Sequence, residues 1–270
     1  MKLGLIGCGK MGSALLKGVI GANLVKASEV FVCDAYAPAA AALKEAYPGL
    51  SVLAGGLEVA FAADAVVLAV KPKDMKTLLE KIAQSTGGQT SDTLFLSIAA
   101  GVTLAQLQEW LGASRVIRLM PNTPAQIGQG YSAFARAAGV SDADAETAQQ
   151  IFGAVGPVDE VTETLLDAIT GLSGSGPAYV FTIIEALADG GVLMGLPRHA
   201  ALRAAAQTVA GAAQMVLQTG EHPAALRDAV TSPGGTTIAG LEQLEAHGLR
   251  HSLIQAVRKA TERSRELGKS

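Results

Sequence analysis

The sequence is short of cysteine, charge, aromatic side chains and long apolar runs, and each shortage excludes something. Two cysteines, Cys8 and Cys33, in 270 residues cannot build a disulfide framework, so a reducing compartment, the cytoplasm, is the expected location. Charged residues make up 17%, against about 25% in an average soluble chain. So little charge cannot cover an ordinary surface, and the shortfall predicts burial in a subunit interface. Lys and Arg number 21 against 24 Asp and Glu, a formal charge of −3. With no basic run, nucleic acid is excluded as an expected partner, since clustered cations are its footprint. No stretch reaches the roughly 18 apolar residues of a membrane span, so no membrane partner is expected. The opening Met1-Lys2-Leu3-Gly4-Leu5-Ile6-Gly7 is too short and glycine-broken for the apolar core of a signal peptide.

What the chain does have is alternation. Leu3–Ile6, Val30–Cys33, Ala65–Val70, Leu94–Ile98 and Val116–Leu119 are apolar runs of strand length, suited to a parallel sheet buried on both faces. Helical patterns separate them at Met11–Ala22, Pro38–Tyr47, Lys73–Gln84 and Leu104–Leu111, the last following Thr103 as an N-cap. This order predicts a doubly wound α/β domain over residues 1–162, closing with strands near Tyr131–Ala135 and Val158–Val161. From Glu163 the strand signals stop. Ala178–Met194, Arg198–Gln218, Pro223–Val230, Ile238–Ala246 and Leu249–Leu267 read as helices, giving an all-helical domain over residues 163–270. Helices this apolar bury themselves best against a second copy, so a homodimer is expected; the alternative is a monomer with the helices packed on its own sheet.

Gly7-Cys8-Gly9-Lys10-Met11-Gly12 is a Gly-x-Gly-x-x-Gly between the first strand and the first helix. Gly7 permits the tight turn, Gly9 lets backbone approach a pyrophosphate at the helix N-terminus, and Gly12 permits helix–strand contact. Asp34 follows 22 residues after Gly12, at the end of the second strand, where an acid hydrogen-bonds the adenosine ribose. A carboxylate there accepts both hydroxyls of NADH and repels a 2′-phosphate, and no Arg follows it. The alternative role for Asp34 is a cap on the helix at Pro38.

In the helical half, Leu172-Ser173-Gly174-Ser175-Gly176-Pro177-Ala178-Tyr179 breaks one helix and starts another. Thr231-Ser232-Pro233-Gly234-Gly235-Thr236-Thr237 does the same before Ile238. The second offers a nest of N–H groups and hydroxyls at a positive helix end, suited to a small carboxylate; a plain interhelical turn is the alternative. His247 and His251 stand at i, i+4, but Gly248 interrupts the spacing and no third ligand is near, so no metal is expected.

Taken together, Ile6–Gly12, Ala69–Pro72, Ala99–Thr103, Met120–Pro124, Leu172–Tyr179 with Ala188–Val192, and Val230–Thr237 make the chain resemble the pyrroline-5-carboxylate reductases. These enzymes make proline from a cyclic imine carboxylate. The resemblance implies an α/β Rossmann domain, a helical dimerisation domain, and dimers that assemble into a larger homo-oligomer. It implies an NAD(P)H cofactor held by Ile6, Gly7, Cys8, Gly9, Lys10, Met11, Gly12, Asp34, Gly56, Ala69, Val70, Lys71, Pro72, Ala99, Ala100 and Gly101. Asp34 stands where phosphate-binding members carry Ser, Asn or Arg, so NADH is the favoured form. Gly56 stands where an Asn usually reaches the adenosine side. Substrate contacts are implied at Glu163, Val230, Ser232, Gly234, Gly235, Thr236 and Thr237, contributed across the dimer, with Thr237 as the candidate partner for the ring nitrogen.

Two rivals stand beside this reading. A β-hydroxyacid dehydrogenase shares the glycine turn and helical second domain, but needs a Lys as proton carrier. None lies between Lys81 and Lys259. A non-catalytic NAD-binding regulator would not need the carboxylate nest at Ser232–Thr237.

Overall fold

The computed structural model describes residues 1–85, 92–112 and 115–268. They form two compact units, Met1–Ser175 together with Arg258–Ser270, and Gly176–Val257. The first is built on one eight-stranded sheet. Its strands are β1 (Leu3–Ile6), β2 (Val30–Cys33), β3 (Ser51–Val52), β4 (Ala65–Leu68), β5 (Leu94–Ser97), β6 (Val116–Met120), β7 (Ser132–Arg136) and β8 (Val158–Glu160), in the order β3-β2-β1-β4-β5-β6-β7-β8. Every neighbouring pair is parallel except β6 with β7. Every residue of β1, β4 and β5 is buried, which is why these strands read as unbroken apolar runs rather than as alternations.

The helices of this unit are α1 (Lys10–Gly21), α2 (Ala37–Ala46), α3 (Gly56–Ala62), α4 (Pro72–Ser85), α5 (Leu104–Leu111), α6 (Asp142–Gly153) and the short α7 (Leu166–Ile169). The alternation expected from the sequence is borne out, with differences at particular places. The third apolar run stops being strand at Leu68, and the backbone of Ala69 and Val70 lies against the turn after β1. Elements β3, α3 and α6 carry no expectation from the apolar pattern. The first is two residues long, and the second opens on a glycine pair. α6 announces itself instead through its cap: Ser141 Oγ accepts from Asp144 N at 3.2 Å, while Asp144 Oδ2 accepts from Ser141 N at 3.2 Å.

After α7 the chain widens into a π turn over Thr170–Gly174 and passes through Ser175 into α8 (Gly176–Leu193). The break expected at Leu172–Tyr179 is therefore a change of pitch. Ser175 keeps right-handed helical angles, φ −85° and ψ −25°, and Pro177 falls in the first turn of α8, where its missing N–H costs nothing.

The second unit contains α8, α9 (Arg198–Thr219), α10 (Pro223–Ala229), α11 (Thr236–Ala246) and the start of α12 (Leu249–Leu267), whose residues from Arg258 onward belong to the first unit. Its own core is three alanines, Ala188, Ala201 and Ala205, with Ile184 and Val192 partly buried against them. Leu193 is 84% exposed, Met194 83%, Leu217 74% and Phe181 64%, far more apolar surface than a finished monomer presents. No helix among the described residues is long and apolar enough to cross a membrane.

Asp144 also anchors α6 to the sheet. Arg115 Nη2 donates to its Oδ1 at 2.5 Å and Nε to its Oδ2 at 3.3 Å. The Arg115 hydrogen bond, with Ser141 adding, holds the Asp144 carboxyl below its ordinary value. A lowered native pKa means the stabilisation is complete above the ordinary carboxylate range and disappears as pH falls through the native value. Asp144→Asn is expected to cost about 1–3 kcal/mol at neutral pH and progressively less as the pH falls below the ordinary carboxylate range, as read by urea denaturation across that range.

Candidate functional site

β1 is the point where the strand order reverses. The chain leaves it toward β2 and β3 on one side and toward β4 on the other, which opens a crevice beyond the carboxyl ends of the strands. The turns after β1, β2, β4 and β5 all end on that edge, because these strands are parallel. The sheet thus gathers Ile6–Gly12, Asp34, Ala69–Pro72 and Ala99–Gly101 along one line.

Two of the three glycines in the first turn are required by the protein itself. Gly7 has φ +104°, and a Cβ on it would lie 2.6 Å from Ala69 O; a Cβ on Gly12 would lie 2.2 Å from Gly7 O. Gly9 is different. Its φ of −69° suits any residue, and a Cβ there would meet nothing within 4 Å. The fold does not need glycine at this position, whereas a ligand pressed against the backbone does. α1 starts at the next residue, Lys10, with no side chain capping it, so its first N–H groups point outward, ready for an anion.

Asp34 takes part in the same turn. Its Oδ2 accepts from Cys8 N at 2.6 Å and its Oδ1 from Tyr36 N at 2.7 Å. α2 starts at Ala37 after Tyr36, with no side-chain cap. The structure therefore does not use Asp34 as the cap of that helix. The carboxylate is half-buried, and each oxygen keeps lone-pair capacity for a further donor.

Cys8 is buried with its Sγ 3.6 Å from Cys33 O. Burial, with Asp34 adding, pushes the Cys8 thiol up to about 12 and the Cys33 thiol up to about 11. Both stay protonated at neutral pH, and they fill space rather than react. Gly56 opens α3, and a side chain on it would meet the end of the Leu78 side chain, with Cδ1 2.6 Å from the Cβ position. Ala69 and Val70 are half-buried, Lys71 and Pro72 exposed, Ala99 buried and Ala100 exposed.

In the second unit, the chain from Val230 to Thr237 folds as a tight turn into α11. Gly234 has φ +66°. Gly235 N donates to Ser232 O at 3.1 Å, and Ser232 Oγ lies 2.4 Å from where a Gly235 Cβ would be. α11 begins at Thr236 without a side-chain cap. N–H groups of a helix start and the hydroxyls of Ser232, Thr236 and Thr237 thus share one short stretch. Val230 is 62% exposed.

Glu163 has a different setting. It belongs to the first unit, where its Oε1 accepts from Leu104 N at 2.7 Å and from Arg118 Nη1 at 3.0 Å. Arg118 is 5% exposed in the middle of β6, and the reading of the sequence passed over it. One Arg inside Val116-Ile117-Arg118-Leu119-Met120 was the available signal, because a cation in a buried strand must find partners. Asn122, within the Met120–Pro124 stretch, ties two further segments together. Its Oδ1 accepts from Tyr131 N at 2.9 Å, and its Nδ2 donates to Ser173 O at 3.2 Å, in the π turn. Among the described residues no three His, Cys, Asp or Glu side chains converge as a metal site requires. His222 Nδ1 accepts from Ala224 N at 3.2 Å at the start of α10.

Comparison with known proteins bears on both halves of the chain. The pyrroline-5-carboxylate reductase dimerisation family matches residues 163–267. A family described as NADP oxidoreductase coenzyme F420-dependent matches residues 2–101. The pyrroline-5-carboxylate reductase of Pisum sativum is 45% identical over 265 residues, 98% of this chain and 95% of the relative. The structure of a pyrroline-5-carboxylate reductase from Coxiella burnetii superposes with a TM-score of 0.92 at 35% identity, covering 100% of this chain and 99% of the other. The Plasmodium falciparum pyrroline carboxylate reductase with NADP bound gives a TM-score of 0.87 at 33% identity, covering 99% and 98%. Identity at this level along the whole length of both chains leaves one conclusion: the chain belongs to the pyrroline-5-carboxylate reductase family.

Proposed function

We propose that this chain reduces the C=N bond of 1-pyrroline-5-carboxylate to give L-proline, taking the hydride from NAD(P)H with NADH favoured. The full-length relation to pyrroline-5-carboxylate reductases carries the reading, and the open backbone at Gly9 supplies the fit for a dinucleotide. The Gly7–Gly12 turn would hold the pyrophosphate on α1, Asp34 the adenosine ribose, and the turns Ala69–Pro72 and Ala99–Gly101 the nicotinamide side. Gly56 would lie on the adenosine side without a side chain to contribute. When bound, the reduced nicotinamide supplies the hydride.

The remaining work is orientation. A cyclic imine is readily protonated, and the iminium is already a good electrophile, so the protein must chiefly hold the ring carbon about 3–3.5 Å from the hydride donor. The uncapped start of α11, with Ser232, Gly234, Gly235 and Thr236, would fix the substrate carboxylate through N–H groups and a hydroxyl. Thr237 would hydrogen-bond the ring nitrogen. A hydroxyl titrating far from neutrality is a poor general acid, so its role is orientation rather than obligate proton donation.

The active form is a homodimer assembling into a larger homo-oligomer, in the cytoplasm. The exposed Leu193, Met194 and Phe181 need a covering surface, and a second copy of the same unit provides one of matching character. We keep 162/163 as the start of the dimerisation domain, where the family match begins.

Two variants and one comparison test this reading. Wild-type enzyme given the imine should oxidise NADH faster than NADPH and should ignore a β-keto acid; turnover with the keto acid alone would restore the dehydrogenase. Thr237→Ala should lower kcat by about tenfold or more with cofactor binding unchanged, and wild-type turnover would remove Thr237 from the mechanism. Asp34→Ser should raise the KM for NADH by about tenfold while narrowing the gap to NADPH, as steady-state kinetics with each cofactor would read.

A further inference from the structure

Among the described residues Arg118 is the only buried Lys or Arg, and its partners lead to one place. Nη1 donates to Glu163 Oε1 at 3.0 Å, and Nη2 lies 3.9 Å from Asp167 Oδ1. The same Glu163 oxygen accepts from Leu104 N at 2.7 Å, the first residue of α5 and the downstream end of the turn that contains Ala99–Gly101. Asp167 Oδ1 accepts from Ser264 Oγ at 2.7 Å, in the closing turns of α12. Three residues later α12 reaches the apex of that turn. A Cβ on Gly101 would lie 3.4 Å from Leu267 Cβ, and one on Gly268 would lie 3.1 Å from Gly101 O. The turn is thus gripped at its apex by α12 and at its end by Glu163, and one guanidinium stands beside the acid of each grip, 3.0 Å from Glu163 and 3.9 Å from Asp167.

Such an arrangement needs a reason. Burying an arginine costs several kcal/mol of desolvation in general, and apolar residues of similar volume often stabilise a fold as well or better. Ala99, Ala100 and Gly101 have no side chain with which to fix themselves, and Gly101 sits at φ +78°. A turn that must present bare backbone to a ligand has to be held from outside.

We propose that Arg118, acting through Glu163 and Asp167, is a positioning residue for the Ala99–Gly101 turn and so for the reduced cofactor, and that Glu163 acts on this turn rather than touching the imine. The inference rests on the reading that the turn contacts the cofactor. Loss of the grip therefore falls on cofactor affinity and leaves the imine KM in place.

The test uses full-length Glu163→Ala, Glu163→Gln and Ser264→Ala. It reads the Kd for NADH from nicotinamide fluorescence without imine, the KM for both substrates, and folding by circular dichroism. Glu163→Ala should weaken NADH binding about tenfold, Glu163→Gln about threefold or less, because its amide oxygen still accepts, and Ser264→Ala about threefold. The imine KM should stay within about twofold throughout. A raised imine KM with unchanged NADH binding would overturn the proposal and make Glu163 a substrate contact. Wild-type NADH affinity in folded Glu163→Ala and Ser264→Ala would overturn it as well. If Glu163→Ala does not fold, Ser264→Ala decides alone. A wild-type chain that binds NADH but leaves the imine untouched sinks the substrate reading only, and the dissociation constants still decide the grip.

Discussion

The second unit cannot bury its own apolar surface, and much of the molecule follows from that constraint. Three alanines make its core, while large side chains of α8 and α9 such as Phe181, Leu193 and Leu217 face outward. Hydrophobic burial is the main term that offsets the conformational entropy of ordering helices. Helices with so little of it inside one chain must find it against another copy. The low charge content has the same origin, because residues that meet a second copy cannot carry Lys and Glu as solvent-facing helices do. The short alanine and glycine side chains of α8 and α9 let backbones come close, and that closeness makes large buried areas possible from thin helices.

The first unit solves a different problem: keeping turns of small residues at the edge of the sheet from wandering. Along the carboxyl edge of the sheet the exposed turns are made of Gly and Ala, which allow close approach but cannot fix themselves by side-chain bonds. Two of them, after β1 and after β5, are held instead by a carboxylate from elsewhere in the chain. Asp34 takes Cys8 N in the turn after β1, and Glu163 takes Leu104 N at the end of the turn after β5. Charge-assisted hydrogen bonds to backbone N–H are among the stronger ones available, so one acid fixes a turn that several neutral contacts would hold loosely.

What could be read from the residues follows the same division. The buried strands β1, β4 and β5 announced themselves because a sheet covered on both faces writes continuous apolar runs, and the glycine turn because its spacing has a mechanical reason. α6 carried only an alanine-rich pattern of weak periodicity, and its signal was the Ser141–Asp144 cap. The π turn was invisible, since no residue pattern marks it and its contact with Asn122, which donates to Ser173 O, joins residues 51 apart in sequence. Arg118 was visible as an oddity within β6, yet its meaning required Glu163, Asp167 and Ser264, which only the folded chain brings together. Glu163 drew attention through resemblance, while its neighbours gave it a task that no local pattern encodes.

The two bonds of Asp34 also bear on how a cofactor preference is built. An acid after the second strand is usually described as a filter that welcomes two ribose hydroxyls and repels a phosphate. Here the same carboxylate holds the glycine turn through Cys8 N and begins the approach to α2 through Tyr36 N. On the reading proposed for Asp34, choice of cofactor and shape of the turn would therefore be coupled through one side chain. On that reading, removing its charge would relieve repulsion toward a 2′-phosphate but would also release an acceptor from the glycine turn. A serine can accept from Cys8 N only by turning its single hydroxyl inward, away from the ribose. On the proposed reading, moving the preference from NADH to NADPH would require two changes: a donor for the phosphate, and a new acceptor to keep the glycine turn closed.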